Sequence, residues 1–177
     1  MKKLFLIIFL FCCVFNSGYT QIQREVEERV GNNVYRIIYI DMKVRTDIWI
    51  ERATDSLRHL GPGFKWSKSM NFEYDRDKVE QLVKEYIVPT IKQSEFNFKD
   101  SDDLSMTCIF DMDGNIREFS IDFPDKLKIP MEVVDTFFNA VLSSGLKATF
   151  KKDHYGLKNA NFMYDSRTFR LKQLQEK

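Results

Sequence analysis

The sequence predicts an α+β domain: an antiparallel sheet packed by two or three helices, with a β-β-α-β-β unit in its C-terminal half. Three observations carry this reading. Leu104, Met106, Cys108 and Phe110, then Phe119, Ile121 and Phe123, are apolar at every second position. That period marks two strands, each with one buried face. Between them lies Asp111-Met112-Asp113-Gly114-Asn115, in which Gly114 can take positive φ without steric cost, so the segment reads as a tight hairpin turn with a bulge. The period then changes, and Val133, Val134, Phe137, Phe138, Val141 and Leu142 fall on one helical stripe. Pro130 suits the first turn of that helix, Glu132 and Asp135 sit near its positive end, and Ser143-Ser144-Gly145 stops it.

The remaining elements follow in order. Lys2 and Lys3, an apolar run over 4–15 and a small polar stretch over 16–20 have the pattern of a secretory signal peptide, with cleavage expected before Gln21. The apolar run is shorter than the ~20 residues a membrane span needs. Removing twenty of 177 residues leaves 157, expected to form one domain over 21–177. Residues 21–30 suit either a short helix or a strand. Gly31-Asn32-Asn33 is a turn signal, and 34–40 is rich in β-formers, so a hairpin with a buried second strand is expected. Trp49, Ile50, Ala53, Leu57 and Leu60 form a helical stripe that Thr46-Asp47 can cap and Gly61-Pro62-Gly63 ends. Residues 64–74 alternate as a strand. Asp75 caps a second helix that Pro89 ends or kinks near Val88. Residues 94–103 read as a loop. After the 130–142 helix come strands over 146–150 and 160–164, separated by a turn over 151–159. The apolar parity shifts from Phe162 and Tyr164 to Phe169 and Leu171, which predicts a bulge or break near Asp165-Ser166. Residues 172–177 read as a solvated tail.

Charge and chemistry narrow the function. The chain carries 27 basic and 26 acidic residues. Without Lys2 and Lys3 the balance is −1, which gives no electrostatic footprint for nucleic acid. Cys12 and Cys13 leave with the signal, and Cys108, on the apolar face of a strand, reads as a buried small hydrophobe. The Asp111–Asn115 segment has its glycine fourth and strands on both sides, unlike a helix–loop–helix calcium site. His59 and His154 are far apart in sequence. No residue pattern points to a catalytic set, a metal or a cofactor.

The phrase Cys108-Ile109-Phe110-Asp111-Met112-Asp113-Gly114-Asn115-Ile116, within strand, turn, strand, helix and strand over 104–171, resembles the C-terminal domain of TonB-like energy transducers. The resemblance implies a fold and not the transducing role, because the chain has no Pro-rich spacer and no retained membrane helix. As a whole the chain resembles small exported envelope proteins of unknown function from Gram-negative bacteria. The expected function is a non-enzymatic binding or interaction module, periplasmic or extracellular, with a protein partner in the envelope and no nucleic acid. Phe162, Met163 and Tyr164, on the last strand, are the expected interaction edge, since an unpaired edge offers backbone groups to an incoming chain. The alternatives are a small hydrolase using His154, or an inhibitor presenting the loop at 111–115 or 151–159. The pattern specifies no oligomeric state.

Overall fold

The computed structural model describes residues 21–42, 45–53, 66–67, 72–150 and 162–176. In chain order these form β1 (Gln21–Val30), β2 (Asn33–Asp41), β3 (Thr46–Arg52), β4 (Trp66–Ser67), β5 (Phe72–Glu73), α1 (Arg76–Tyr86), α2 (Val88–Gln93), β6 (Asp103–Asp111), β7 (Ile116–Pro124), α3 (Met131–Ser143), β8 (Thr149–Phe150), β9 (Phe162–Arg170) and α4 (Leu171–Glu176). Six strands make one antiparallel sheet in the order β1-β2-β3-β7-β6-β9. β4 adds two parallel residues beside β9. The fold is therefore mixed α+β, with four helices among the described residues rather than two or three. The succession β6, β7, α3, β8, β9 follows the expected order, but β8 pairs with β5 in a separate two-stranded ladder, so these four strands do not share one sheet.

Two of the hairpins form where the expected turn chemistry allows. β1 and β2 close across Gly31, at φ 58°, and Asn32. β6 and β7 close across 111–115 with a bulge between Ile109 and Phe110. There the Asp111 carboxylate accepts from the backbone N–H groups of Asp113 at 3.0 Å and Asn115 at 2.9 Å. Gly114 is required twice: it sits at φ 82°, and a Cβ on it would lie 2.0 Å from the Ala148 carbonyl oxygen.

α1 and α3 cover one face of the sheet. Asp75 caps α1 by accepting from the Lys78 N–H at 2.9 Å. Val79 and Val83 from α1, with Val134, Phe137, Phe138 and Val141 from α3, bury against Ile50, Met106, Cys108, Phe119 and Ile121. Phe119 meets Phe138 and Phe137 edge-on at centroid distances of 4.7 and 5.6 Å. Each such side chain contributes roughly 1.5–3 kcal/mol by leaving water. The Tyr35 hydroxyl donates to Asp135 at 2.7 Å and ties the sheet to α3.

Several expectations need correction. Residues 46–52 are the strand β3, not the start of a helix. Trp49, Ile50 and Ala53 fit a helical stripe, but Ile48 and Ile50 against Asp47, Trp49 and Glu51 fit alternation equally well, and ladders with β2 and β7 on both sides decide it. Leu57, Leu60 and Gly61-Pro62-Gly63 lie outside the described residues. Of the strand expected over 64–74, Trp66–Ser67 and Phe72–Glu73 are extended. Pro89 ends α1 as expected, yet a second short helix, α2, starts at once, because Pro89 suits its first turn.

The bulge expected in β9 is absent: its register with β6 is unbroken from Phe162 to Arg170. Met163, Asp165, Arg167 and Phe169 all lie opposite core residues of β6. The apparent parity shift arose because two of these inward positions are charged. Both find partners near α1: the Tyr74 hydroxyl donates to Asp165 at 2.8 Å, and Arg167 pairs with Glu80 at 3.1 Å. The expected tail is α4, which buries Leu171 and Leu174 and packs beside α2.

Candidate functional site

Every second residue of the central strands points away from α1 and α3. This distal face is built in three rungs set by the ladder register. Trp49, Asp122, Ser105 and Thr168 lie side by side across β3, β7, β6 and β9. Glu51, Ser120, Thr107 and Ser166 form the next rung, and Glu118, Ile109 and Tyr164 the third. Neighbours within a rung have Cβ atoms about 4.5–5.5 Å apart. A cavity of about 730 Å³ opens over them, lined by all of these residues except Thr168.

The lining mixes apolar and polar groups, and some of the polar ones are removed from water. Glu51 is 1% exposed, Ser120 3% and Glu118 6%. Glu51 accepts from Arg36 at 2.9 Å and from the Trp49 indole N–H at 3.3 Å, which fixes the indole beside the cavity. Thr107 and Ser166 share a hydroxyl hydrogen bond at 2.8 Å, and Ser105 and Thr168 share one at 3.2 Å. Ser120 makes no side-chain hydrogen bond among the described residues. Asp122 is pushed up to about 6, first by burial and then by the nearby Asp47 carboxylate; Arg45 opposes the shift and Asp103 adds to it.

A charged cluster closes one end of the sheet. Arg45 donates to Asp47 at 3.1 Å and lies 3.5 Å from Asp102. Asp102 also receives Lys126 and, at 2.7 Å, the Lys99 N–H. Burial opposes the charge of Asp102, but these donors outweigh it and hold its carboxyl below the usual range. On the opposite side of the sheet a smaller recess of about 370 Å³ lies between Ile37, Tyr39, Ile48 and the 127–131 segment.

The structure distributes the residues singled out from sequence. Phe162 and Met163 are not an unpaired edge: β6 flanks them on one side and Trp66 and Ser67 of β4 on the other. An earlier strand supplies the neighbour that no later segment could. Met163 is fully buried, and Tyr164 lines the cavity. Cys108 is buried, and burial pushes its thiol up to about 12, which disfavours the reactive thiolate. His59, His154, the 151–159 loop and residues 1–20 lie outside the described residues. Among the described residues no group of three acidic, histidine or cysteine side chains could hold a metal, and no helix is long and apolar enough to cross a membrane.

Trp49, Glu51, Ser120 and Asp122 are the site residues that sequence reasoning passed over. The signal for Ser120 and Asp122 was polar residues at alternate positions of β7, and that for Trp49 and Glu51 was the same alternation in β3. It reads as a solvated face until β3 is recognised as a strand and placed beside β7.

No protein-family model matches the chain, and no curated protein does. Among solved structures, a crystal structure of a DUF5043 family protein from Bacteroides uniformis has a similar fold, with a TM-score of 0.51 at 15% identity over 88% of this chain and 96% of that one. At that identity the likeness extends to the fold and no further, and DUF5043 is itself a family of unknown function.

Proposed function

We propose that this protein is a non-enzymatic binding module of the cell envelope, exported by its N-terminal signal, and that its ligand seat is the distal-face cavity rather than a sheet edge. One observation carries the reading: a cavity of about 730 Å³ lined by Trp49, Tyr164 and Ile109 together with a few convergent polar groups. Small-molecule sites commonly have this size and this mixture of apolar wall and sparse polar anchors. Two-sided pairing of Phe162 and Met163 weighs against the edge, and the other edge strand, β1, carries the exposed charges Arg24, Glu25, Glu27, Glu28 and Arg29, a usual protection against strand addition. The hydrolase reading through His154 gains no support from the described residues. The TonB-like resemblance of 104–171 contributes no role to this proposal.

A thermal-shift screen of small ligands against the wild type and Ser166→Trp tests the seat. Ser166 is exposed at the cavity wall, so an indole there fills space without entering the core. Ligands that raise the wild-type Tm are expected to lose their effect on the variant. Equal stabilisation of both proteins by every hit would remove the cavity from consideration. Export is tested by mass spectrometry of the periplasmic or secreted product, expected to begin at or near Gln21; an intact Met1 there refutes it.

A further inference from the structure

The cavity's polar anchors are selective in sign. Its described lining contains the carboxyl groups of Glu51, Glu118 and Asp122 and no lysine, arginine or histidine. Glu51 is satisfied by Arg36 and Trp49, and Glu118 has a partner of its own. Asp122 differs: no side chain among the described residues donates to it. Ser120, two residues along the same face of β7, is 3% exposed and makes no side-chain hydrogen bond among the described residues while lining the cavity. Residues two apart on a strand stand about 7 Å apart at the backbone, so one compact donor group between them can reach both side chains. Ser105 lies directly across from Asp122 and adds a third side chain with an oxygen.

We propose that the distal-face cavity takes an organic cation, a primary ammonium on an apolar body, with the ammonium held by Asp122 and Ser120 and the body packed against Trp49 and Ile109. The proposal rests on the binding reading above and adds the ligand class. An ammonium has three donors and no acceptor, which matches a set of carboxylate and hydroxyl oxygens. Trp49, beside Asp122 in the same rung, supplies an aromatic surface that attracts cations. An anion would meet the Asp122 carboxyl, and a neutral ligand would leave its partly desolvated charge uncompensated. The charged groups around Asp122 are Asp47, Asp103 and Arg45, and Arg45 is already held by Asp47 and Asp102. The raised carboxyl of Asp122, first an effect of burial, fits a group to which no described side chain donates.

Phenethylammonium and its neutral counterpart 2-phenylethanol, titrated calorimetrically into the full chain, provide the test. The cation is expected to bind about tenfold or more tightly than the alcohol at pH 7.5. Asp122→Asn is expected to abolish that preference while leaving the alcohol's affinity within about twofold, and Ser120→Ala to weaken the cation about threefold or more. Cation affinity is expected to fall at pH 5, where Asp122 takes up a proton and the amine keeps its own. Equal affinity for the two probes, binding of neither, or a preference that survives Asp122→Asn overturns the ligand class. The Ser166→Trp comparison decides separately whether the cavity binds at all. Should Asp122→Asn fail to fold, Ser120→Ala, which removes one oxygen, takes its place: an unchanged cation affinity in that variant overturns the proposal.

Discussion

The two faces of the β6–β7 hairpin are made from interleaved residues of the same strands, yet they have opposite characters. Leu104, Met106, Phe119, Ile121 and Phe123 turn to α1 and α3 and lie 0–2% exposed. Ser105, Thr107, Ser120 and Asp122 turn the other way, beside Trp49 and Glu51 of β3. The first face consists of interlocked rings and methyl groups. The second holds hydroxyls and carboxyls, several of them also withdrawn from water. Removing apolar groups from water stabilises a fold, whereas removing polar groups costs free energy unless they find partners. A sheet selected for stability alone would continue the pattern of Ile109 across its distal face. Oxygen atoms there instead, arranged in rungs around a cavity, are the groups on which the proposed ligand seat rests.

This contrast can be broken from either side. The largest effect is expected on the helix face. Phe138 packs on Phe119 at 4.7 Å and on Tyr35 at 5.3 Å, fully buried. Phe138→Ala should cost ~3–5 kcal/mol in urea unfolding, through lost burial and the cavity left behind. A midpoint within error of wild type would contradict its place in the core. A smaller loss is expected where the helix face is itself polar. Asp165→Ala leaves the Tyr74 hydroxyl without its acceptor and Arg76 without its partner at 3.5 Å, at a cost of about 1–2 kcal/mol in the same unfolding measurement.

On the distal face the sign should reverse. The folded pKa of Asp122, about 6, lies above the ordinary carboxyl value. The folded state then binds the proton more tightly than the unfolded chain, so stability falls as pH rises between about 4 and 6 and the penalty is complete above that window. Asp122→Asn removes the ionised form. With partial solvent access allowed for, the variant should be about 1–2 kcal/mol more stable than wild type at pH 7 and equal to it near pH 4. Paired urea titrations at the two pH values measure this, and a variant less stable at pH 7 would place Asp122 in a structural role. Gain of stability together with loss of cation binding would mark a residue that serves function at the expense of the fold. The smallest change belongs to Thr107→Val, which deletes the hydroxyl bond to Ser166 at 2.8 Å on a face that packs little; less than ~1 kcal/mol is expected, checked by the same titration.

Much of the helix face was legible in the sequence. Alternating apolar residues in β6 and β7, the Asp111–Asn115 turn, the stripe of α3 and the Asp75 cap are local signals, each readable within about a dozen residues. The errors occurred where local signals were degenerate. The segment Thr46–Arg52 satisfies both a helical and an extended period over its seven residues. Asp165 and Arg167 disguised the inward face of β9, because polar partners near α1 make a charged residue acceptable in a position where sequence alone expects an apolar one.

By itself the sequence determined the class of the fold, the two hairpin turns, the principal helices and the core residues they bring, because hydrophobic period and turn chemistry act between near neighbours. The tertiary structure decided which strands lie side by side. That choice set β3 against β7, placed β4 on the edge of β9, sent β8 to a separate ladder with β5, and carried Trp49 and Glu51 next to Asp122 and Ser120. Pairing between segments some seventy residues apart leaves no mark in either segment alone, since it arises from the shared burial of both. The candidate site exists through that pairing.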